Sequence, residues 1–378
     1  MDYIDDPEIK KTIGRVSDNL DRVERMKNQW QHRDTQKARA QDIHAALTPA
    51  LKERTSQAAG HIGLILTGGG GKGSYQAGVM KALEEMGISR NKTRVVSDGT
   101  VSSRNDIYSD RTSSGADNNY IISAVAGTSA GALNAALFAG GDAAQAETLW
   151  GSLDQSLFDG PEEFFGHSDE NERYLEEMIR GCGVLSKISP DGLLTVATAF
   201  DYNMGRPKDF LLNTMDEDEK VKSLLASAAF PIALKGQIIK GIKYIDGGIP
   251  VFGSNMPVAP LYYLGFRRFI VVHCSSKAEF CEIAFLNKLN LKMNEEEYFN
   301  GSSFVHIFPS RKTGGLAAGT LNFSHDFIMS NIRLGYEDTQ KALKDFPVFS
   351  ENVGEYDEVH VVDGERYRSM NELLDQLS

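Results

Sequence analysis

The sequence predicts an α/β protein in which helices wind around a mainly parallel sheet. Two strand-turn-helix units lead to this prediction. In the first, an apolar run at residues 62–66 meets the glycine-rich turn GGGGKG, and the helical stretch SYQAGVMKALEEMG follows. In the second, the run YIISAVA meets the small-residue turn GTSAG and continues into the alanine-rich stretch ALNAALFAGG. Because both units have the same order, their strands are expected to lie parallel in one sheet.

Residues 1–60 predict a helical extension before this domain. Apolar residues recur there at alternating steps of four and three, interrupted once by a lysine: Ile9, Ile13, Val16, Leu20, Val23 and Trp30. Such a stripe is typical of a helix packed on its own domain or, alternatively, of a coiled-coil arm. The second explanation predicts a homo-oligomer joined through the N-terminal helices. A more polar helical stretch then extends to about Gln57, and Gly60 ends the extension.

Residues 61–348 are expected to form the main domain. Its first helix has apolar residues on one face and ends at Gly87. Residues 89–119 are almost free of large apolar side chains, which predicts a long inserted loop. Further strands are predicted at 193–200, 243–248, 267–274 and 302–309, and a helix from Asn322. The acidic tail at 349–378 predicts no particular element.

Composition excludes several classes of function. The net charge of −12, from 40 basic and 52 acidic residues, argues against binding a nucleic acid polymer. The 3 cysteines form no CxxC pair, so neither a disulfide framework nor a cysteine metal site is expected. The first thirty residues are densely charged and lack an apolar signal segment, which predicts a cytoplasmic protein.

The glycine-rich turn has three explanations. A phosphate-binding loop needs Ser or Thr directly after Gly-Lys, but Gly73 stands there. Gly68, Gly70 and Gly73 match a dinucleotide fingerprint, yet the acidic residue near the expected place, Asp98, follows no clear strand. The third explanation, a cradle for the oxyanion of a reaction, depends on the second turn.

That second turn, Gly127-Thr128-Ser129-Ala130-Gly131, matches the nucleophile elbow G-x-S-x-G between a strand and a helix. Small neighbours permit the sharp turn and leave the Ser129 hydroxyl exposed for attack. The amides around Gly69 to Gly71 could then donate to an oxyanion. Lys72 either adds positive charge at this turn or lies on its solvated outer side.

The residues alone leave the identity of the general base open. In an ordinary triad a histidine follows the serine, and His167, His273, His306 and His325 qualify by order only. A different candidate is Asp246, at the end of an apolar strand and followed by Gly247 and Gly248. A shielded carboxylate with a raised pKa can accept a hydroxyl proton directly.

Together, GGGGKG at 68–73, GTSAG at 127–131 and DGG at 246–248 resemble the patatin-like phospholipase family. Flanking segments add to the likeness over about 63–343: SYQAGV, SAAFPIALKG, the NMPV stretch from Asn255, and GTLNFS from Gly319. The resemblance implies a three-layer α/β/α fold and hydrolysis of acyl esters of phospholipids at a membrane surface, without metal or organic cofactor. It implies that Ser129 is the nucleophile and Asp246 the base. The implied oxyanion hole is the turn Gly68, Gly69, Gly70, Gly71, Lys72 and Gly73.

Two further expectations accompany the resemblance. Some bacterial relatives are activated by cyclic nucleotides, and the added N-terminal section is compatible with such control. The apolar spacing at 280–299 predicts a core-packing helix or an apolar cap over a lipid pocket.

The alternative function is a nucleotide-binding or scaffold protein that keeps the glycine turn without hydrolysing lipid.

Overall fold

The computed structural model describes residues 32–56, 58–86, 88, 94–95, 101–102, 122–153, 168–230, 234–249, 252–282, 301–315, 318–343, 357–360, 365–367 and 372. The predicted apolar stripe at 9–30 lies outside these residues, as do most of the predicted loop at 89–119 and most of the segment at 280–299. Every structural statement below refers to the described residues.

The described part of the N-terminal extension packs on the main domain. Helix α1 (His32–Ala45) and helix α2 (Pro49–Thr55) are joined by a short turn, and the Thr48 side chain caps α2 by accepting a bond from the Leu51 N–H. Ile43 and Leu51 are completely buried in the core beneath the sheet. Burial of these apolar side chains attaches both helices to the sheet.

The described strands form one ten-stranded sheet and one small separate pair. The small pair consists of β2 (Arg94–Val95) and β3 (Val101–Ser102). In the large sheet the order is β12-β11-β10-β9-β1-β4-β5-β8-β7, and β6 pairs with β5. Its strands are β1 (Ile62–Leu66), β4 (Ile122–Thr128), β5 (Leu194–Asp201), β6 (Arg206–Leu211), β7 (Gln237–Ile239), β8 (Ile242–Asp246), β9 (Arg268–Val272), β10 (Ser303–Ile307), β11 (Asp357–His360) and β12 (Glu365–Tyr367). The five adjacent strands from β11 to β4, together with β5, pair in parallel, so the predicted mainly parallel sheet is confirmed.

Helices cover both faces of this sheet. They are α3 (Ser74–Glu85), α4 (Ala130–Gly140), α5 (Ala143–Gly151), α6 (Ser168–Gly181), α7 (Glu217–Ala228), α8 (Val258–Tyr263), α9 (Lys277–Glu282) and α10 (His325–Ala342). Successive side chains of β1 alternate between the faces: Leu64 and Leu66 pack with α3, α4 and α10, whereas Ile65 packs with α1 and α8. Strands buried on both faces read as continuous apolar runs, as these do. The predicted three-layer α/β/α architecture is therefore confirmed.

Among the described residues, no helix combines the length and the apolar character that crossing a lipid bilayer requires.

Candidate active site

Ser129 lies in the sharp turn between β4 and α4. Its backbone has φ 56° and ψ −128°, a combination that costs energy for a residue with a side chain. The turn needs glycine at two places, because a Cβ on Gly131 would collide with the Leu66 carbonyl and one on Gly127 with Gly131. The Ser129 side chain is left half-buried at the amino end of α4.

The Ser129 backbone is held from behind by Ser227. The Ser129 N–H donates to Ser227 Oγ over 3.0 Å, and the Ser227 hydroxyl donates to the Thr198 carbonyl over 2.6 Å. Both partners are completely buried. These two bonds fix the strained turn to α7 and β5.

Asp246 lies near Ser129 because β4 and β8 both pair with the same edge of β5, one after the other along its length. β4 pairs with β5 as far as Thr128 opposite Thr198, and β8 begins at the next pair, Asp246 opposite Ala199. The other edge of β5 is occupied by β6. Because β8 runs antiparallel to β5, its last residue meets the end of β4. The carboxyl group of Asp246 therefore lies beside the turn that carries Ser129.

The Asp246 side chain is in an environment that disfavours its charge. Only 2% of the residue is exposed, and burial raises the pKa of its carboxyl group from 3.8 to about 6. Hydrogen bonding with the Ser129 side chain and the Gly248 N–H opposes the rise, and the Gly248 N–H lies 2.7 Å from Oδ1. No described group reaches the buried Oδ2 with ordinary hydrogen-bond geometry. The contact with Ser129 is therefore loose, as is common before a substrate binds.

The glycine turn passes close to Ser129. A Cβ on Gly68 would come within 3.0 Å of the Ser129 Cβ. The Gly68 N–H donates to Asn255 Oδ1 over 3.1 Å, and a Cβ on Gly248 would lie 2.6 Å from the same oxygen. Asn255 therefore links the glycine turn to the loop that follows Asp246.

Different N–H groups of the glycine turn have different partners. The Gly71 N–H donates to the Thr320 carbonyl over 2.9 Å. Gly70 has φ +55°, a conformation that favours glycine. The N–H groups of Gly69 and Gly70 donate to no group among the described residues. Gly69 and Gly70 are both partly exposed, whereas Gly71 is buried.

Lys72 is buried, which rules out the second of its two predicted positions, the solvated outer side of the turn. Its side chain is almost completely enclosed, and Nζ donates to Ser275 Oγ over 2.8 Å and to the Gly315 carbonyl over 3.1 Å. Burial lowers the pKa of the ammonium group, while the nearby Cys274 and Glu279 side chains act to raise it. The ammonium group anchors the glycine turn to two other loops.

Three residues that hold the site in place lie in segments flanking the three motifs, and the sequence alone predicted no role for them. Ser227 begins SAAFPIALKG, Asn255 begins the NMPV stretch, and Thr320 lies in GTLNFS. The only signal in the sequence was a polar residue among small or apolar neighbours. Ser227 and Asn255 lie 98 and 187 positions from their partners, and the partner of Thr320 is also remote. Local sequence patterns do not indicate contacts between residues so far apart.

A family model described as patatin-like phospholipase matches residues 64–262, more than half of the 378-residue chain. The chain belongs to the patatin-like phospholipase family. The matched segment includes the glycine turn, Ser129 and Asp246. Membership places the chain among lipid acyl hydrolases.

One solved structure similar to this patatin-like chain is the crystal structure of VipD from Legionella pneumophila. It shares 14% sequence identity with a TM-score of 0.38, and the match covers 75% of this chain and 67% of that chain. Similarity at this level does not bear on function. No protein with a curated description matched the chain.

The three candidate histidines that the structure describes do not bond to Ser129 of this patatin-like domain. Buried His273 and His306 lie against each other, with Nε2 of the first 2.8 Å from Nδ1 of the second. His325 is exposed, with Nδ1 3.3 Å from the Gly151 carbonyl oxygen, and His167 lies outside the described residues. Within the described ranges, no histidine forms a hydrogen bond with Ser129.

In the part of the chain that the structure describes, no group of three or more His, Cys, Asp or Glu side chains could hold a metal ion.

Proposed function

We propose that this chain is a serine lipid acyl hydrolase that cleaves acyl esters of phospholipids at a membrane surface. The main support is the meeting of β4 and β8, which puts the Ser129 side chain beside the carboxyl group of Asp246, whose pKa is about 6. Such a carboxylate is ionised at neutral pH and basic enough to accept a proton. In this proposal Ser129 is the nucleophile and Asp246 the general base.

The first half-reaction transfers the acyl group to the enzyme. Ser129 Oγ attacks the ester carbonyl carbon while its proton passes to Asp246. The Gly69 and Gly70 N–H groups donate to the oxyanion that forms, and the amino end of α4 favours the same negative charge. The intermediate then collapses with cleavage of the bond to the glycerol oxygen. That oxygen takes the proton from Asp246, and lysophospholipid leaves.

The second half-reaction releases the fatty acid. Water attacks the acyl carbon of the Ser129 ester while Asp246 accepts its proton, and the same two N–H groups stabilise the second oxyanion. Collapse breaks the bond to Ser129 Oγ, which recovers the proton from Asp246. Fatty acid is released, and both residues return to their starting states.

The burial of Lys72 argues against the alternative of a nucleotide-binding protein. A phosphate loop needs its lysine free to approach phosphate oxygens. Here the ammonium group donates to Ser275 and Gly315 and is withdrawn from solvent. The hydroxyl of Ser74, the residue one place beyond the metal-binding position, donates to the Gly71 carbonyl over 2.8 Å.

The β7–β8 hairpin supports action at a membrane surface. β8 extends beyond the carboxyl end of β4. The hairpin turn therefore lies beyond Ser129, at the same end of the sheet. Among the described residues, Ile238 on β7 is the one large apolar residue that is strongly exposed, at 70%. Its cross-strand neighbour is the exposed Lys243, and Lys240 in the turn is 80% exposed. Although Lys240 pairs with Glu219, so exposed a pair is weak. An apolar side chain flanked by lysines suits an anionic lipid surface.

Replacing Ile238 with aspartate is expected to lower fatty-acid release from anionic vesicles by about 10- to 100-fold, because burying one isoleucine is worth about 1.5–3 kcal/mol. Hydrolysis of a short, water-soluble ester is expected to stay unchanged, since β7 does not carry the reacting groups. Ala144→Asp, which adds the same charge at an exposed site on α5, is the matched control. Equal loss on vesicles and on the soluble ester would contradict a surface role.

The direct test of the function is fatty-acid release from mixed phospholipid vesicles, together with labelling by a fluorophosphonate probe. We expect release of one fatty acid per lysophospholipid and labelling at Ser129, the activated serine. The assay includes a panel of cyclic nucleotides, and release that depends on one of them would identify a gated enzyme. No release and no labelling under any of these conditions would refute the proposed function.

A further inference from the structure

Helix α1 lies outside the segment that the family model matches, yet it inserts an arginine behind the candidate site. Arg39 is 1% exposed, and its guanidinium forms a two-point ion pair with Asp209 on β6. Nε lies 2.8 Å from Oδ2, and a terminal nitrogen lies 3.0 Å from Oδ1. Both side chains are completely removed from solvent. Two hydrogen bonds in one plane fix the relative orientation of α1 and β6.

From this ion pair a chain of buried hydrogen bonds leads to Ser129. Asp209 Oδ1 accepts the Thr198 hydroxyl over 2.8 Å. The Thr198 carbonyl accepts the Ser227 hydroxyl over 2.6 Å, and Ser227 Oγ accepts the Ser129 N–H over 3.0 Å. Every link is a direct protein contact, and Thr198 and Ser227 are completely buried.

A second path connects the same arginine to the residue before Ser129. An Arg39 terminal nitrogen lies 3.5 Å from Ser254 Oγ. The Ser254 carbonyl accepts the Thr128 hydroxyl over 2.7 Å, and both residues are completely buried. The two paths thus converge on consecutive residues of the strained turn.

We propose that Arg39 is a positioning residue for the nucleophile, acting through Asp209, Thr198 and Ser227, so that α1 is a working part of the enzyme. This inference rests on the proposed function of Ser129. A strained backbone persists only where its surroundings hold it. Without Arg39, Asp209 is a buried charge lacking its cation, and the Thr198 carbonyl that supports Ser227 shifts with it.

The test uses the double variant Arg39→Met/Asp209→Leu, because neutral side chains of similar volume often replace a buried ion pair without loss of stability. We expect a melting temperature close to that of the wild type. On a soluble short-chain ester, kcat is expected to fall about 10- to 100-fold with KM nearly unchanged, the result of a misplaced nucleophile. Arg39→Lys keeps one charge but not the two-point geometry, and it is expected to retain intermediate activity.

The matched control is Asp42→Asn. Asp42 also joins α1 to β6, through Arg206 at 3.0 Å and Lys208 at 2.9 Å, but this ion pair is partly exposed and does not lead to Thr198. Its kcat is expected to equal that of the wild type. A double variant with wild-type kcat, or an equal loss in Asp42→Asn, would overturn the role of Arg39. Fluorophosphonate labelling of the wild type in the same experiment separates these results from failure of the proposed function, in which no labelling occurs.

Discussion

Replacing Ser129 with alanine is expected to lower fatty-acid release by about 10,000-fold or more, because the acyl-enzyme cannot form without the hydroxyl. Fluorophosphonate labelling is expected to disappear completely. The fold should persist, since the Ser129 N–H, which holds the turn through Ser227, is retained. The measurement compares release from phospholipid vesicles with labelling followed by peptide mass analysis.

The control for this experiment is Ser152→Ala. Ser152 is an exposed serine whose hydroxyl donates only to the nearby Leu149 carbonyl over 2.8 Å. Its removal is expected to leave release and labelling unchanged. Labelling of a serine other than Ser129 in the wild type, or release retained by Ser129→Ala, would assign the nucleophile elsewhere.

Replacing Asp246 with asparagine is expected to lower kcat by about 100- to 10,000-fold, because an amide cannot accept the hydroxyl proton. In the wild type, kcat is expected to rise with pH through about 6, as the Asp246 carboxyl group loses its proton. This rise is expected to be absent from any residual activity of the variant. The exposed Asp326→Asn is the control and should keep the wild-type profile. A wild-type profile that is flat between pH 5 and 7 would exclude Asp246 as the base.

The same substitution is expected to stabilise the protein at neutral pH. The pKa of Asp246 is raised in the folded state from 3.8 to about 6, so folding favours the protonated form. Below about pH 4 the Asp246 carboxyl group is protonated in both states and does not lower the free energy of unfolding. As the pH rises towards 6, its burial lowers the free energy of unfolding by an amount on the order of 3 kcal/mol. Asp246→Asn removes this cost. Its melting temperature should exceed that of the wild type by several degrees at pH 7.5 and match it near pH 4; equal values at both would contradict the burial effect.

Much of the fold could be predicted because its central elements have strong local patterns. β1 and β4 are apolar runs that end at glycine-containing turns, and helices follow both. β6 could not be predicted, because RPKDFL places Lys208 and Asp209 inside a strand. The buried charge of Asp209 is balanced there by Arg39, which lies 170 positions away in the sequence. Local sequence does not encode such a partner.

The candidate site was predictable in its residue types but not in its individual atoms. The turn at 68–71 has four identical glycines, and sequence alone cannot distinguish their N–H groups. The N–H groups differ because Asn255 accepts a hydrogen bond from that of Gly68 and Thr320 accepts one from that of Gly71. The burial of Lys72 likewise depends on the loops containing Ser275 and Gly315, which are remote in sequence.

The anchoring of the glycine turn by Gly315 and Thr320 has a consequence for synthesis of the protein. A nascent chain leaves the ribosome from its amino end, and its domains form as their residues emerge. The glycine turn, Ser129 and Asp246 all emerge before the two residues that hold the turn in place. The glycine turn of a newly made chain therefore lacks both of these anchors until residues 315 and 320 have left the ribosome.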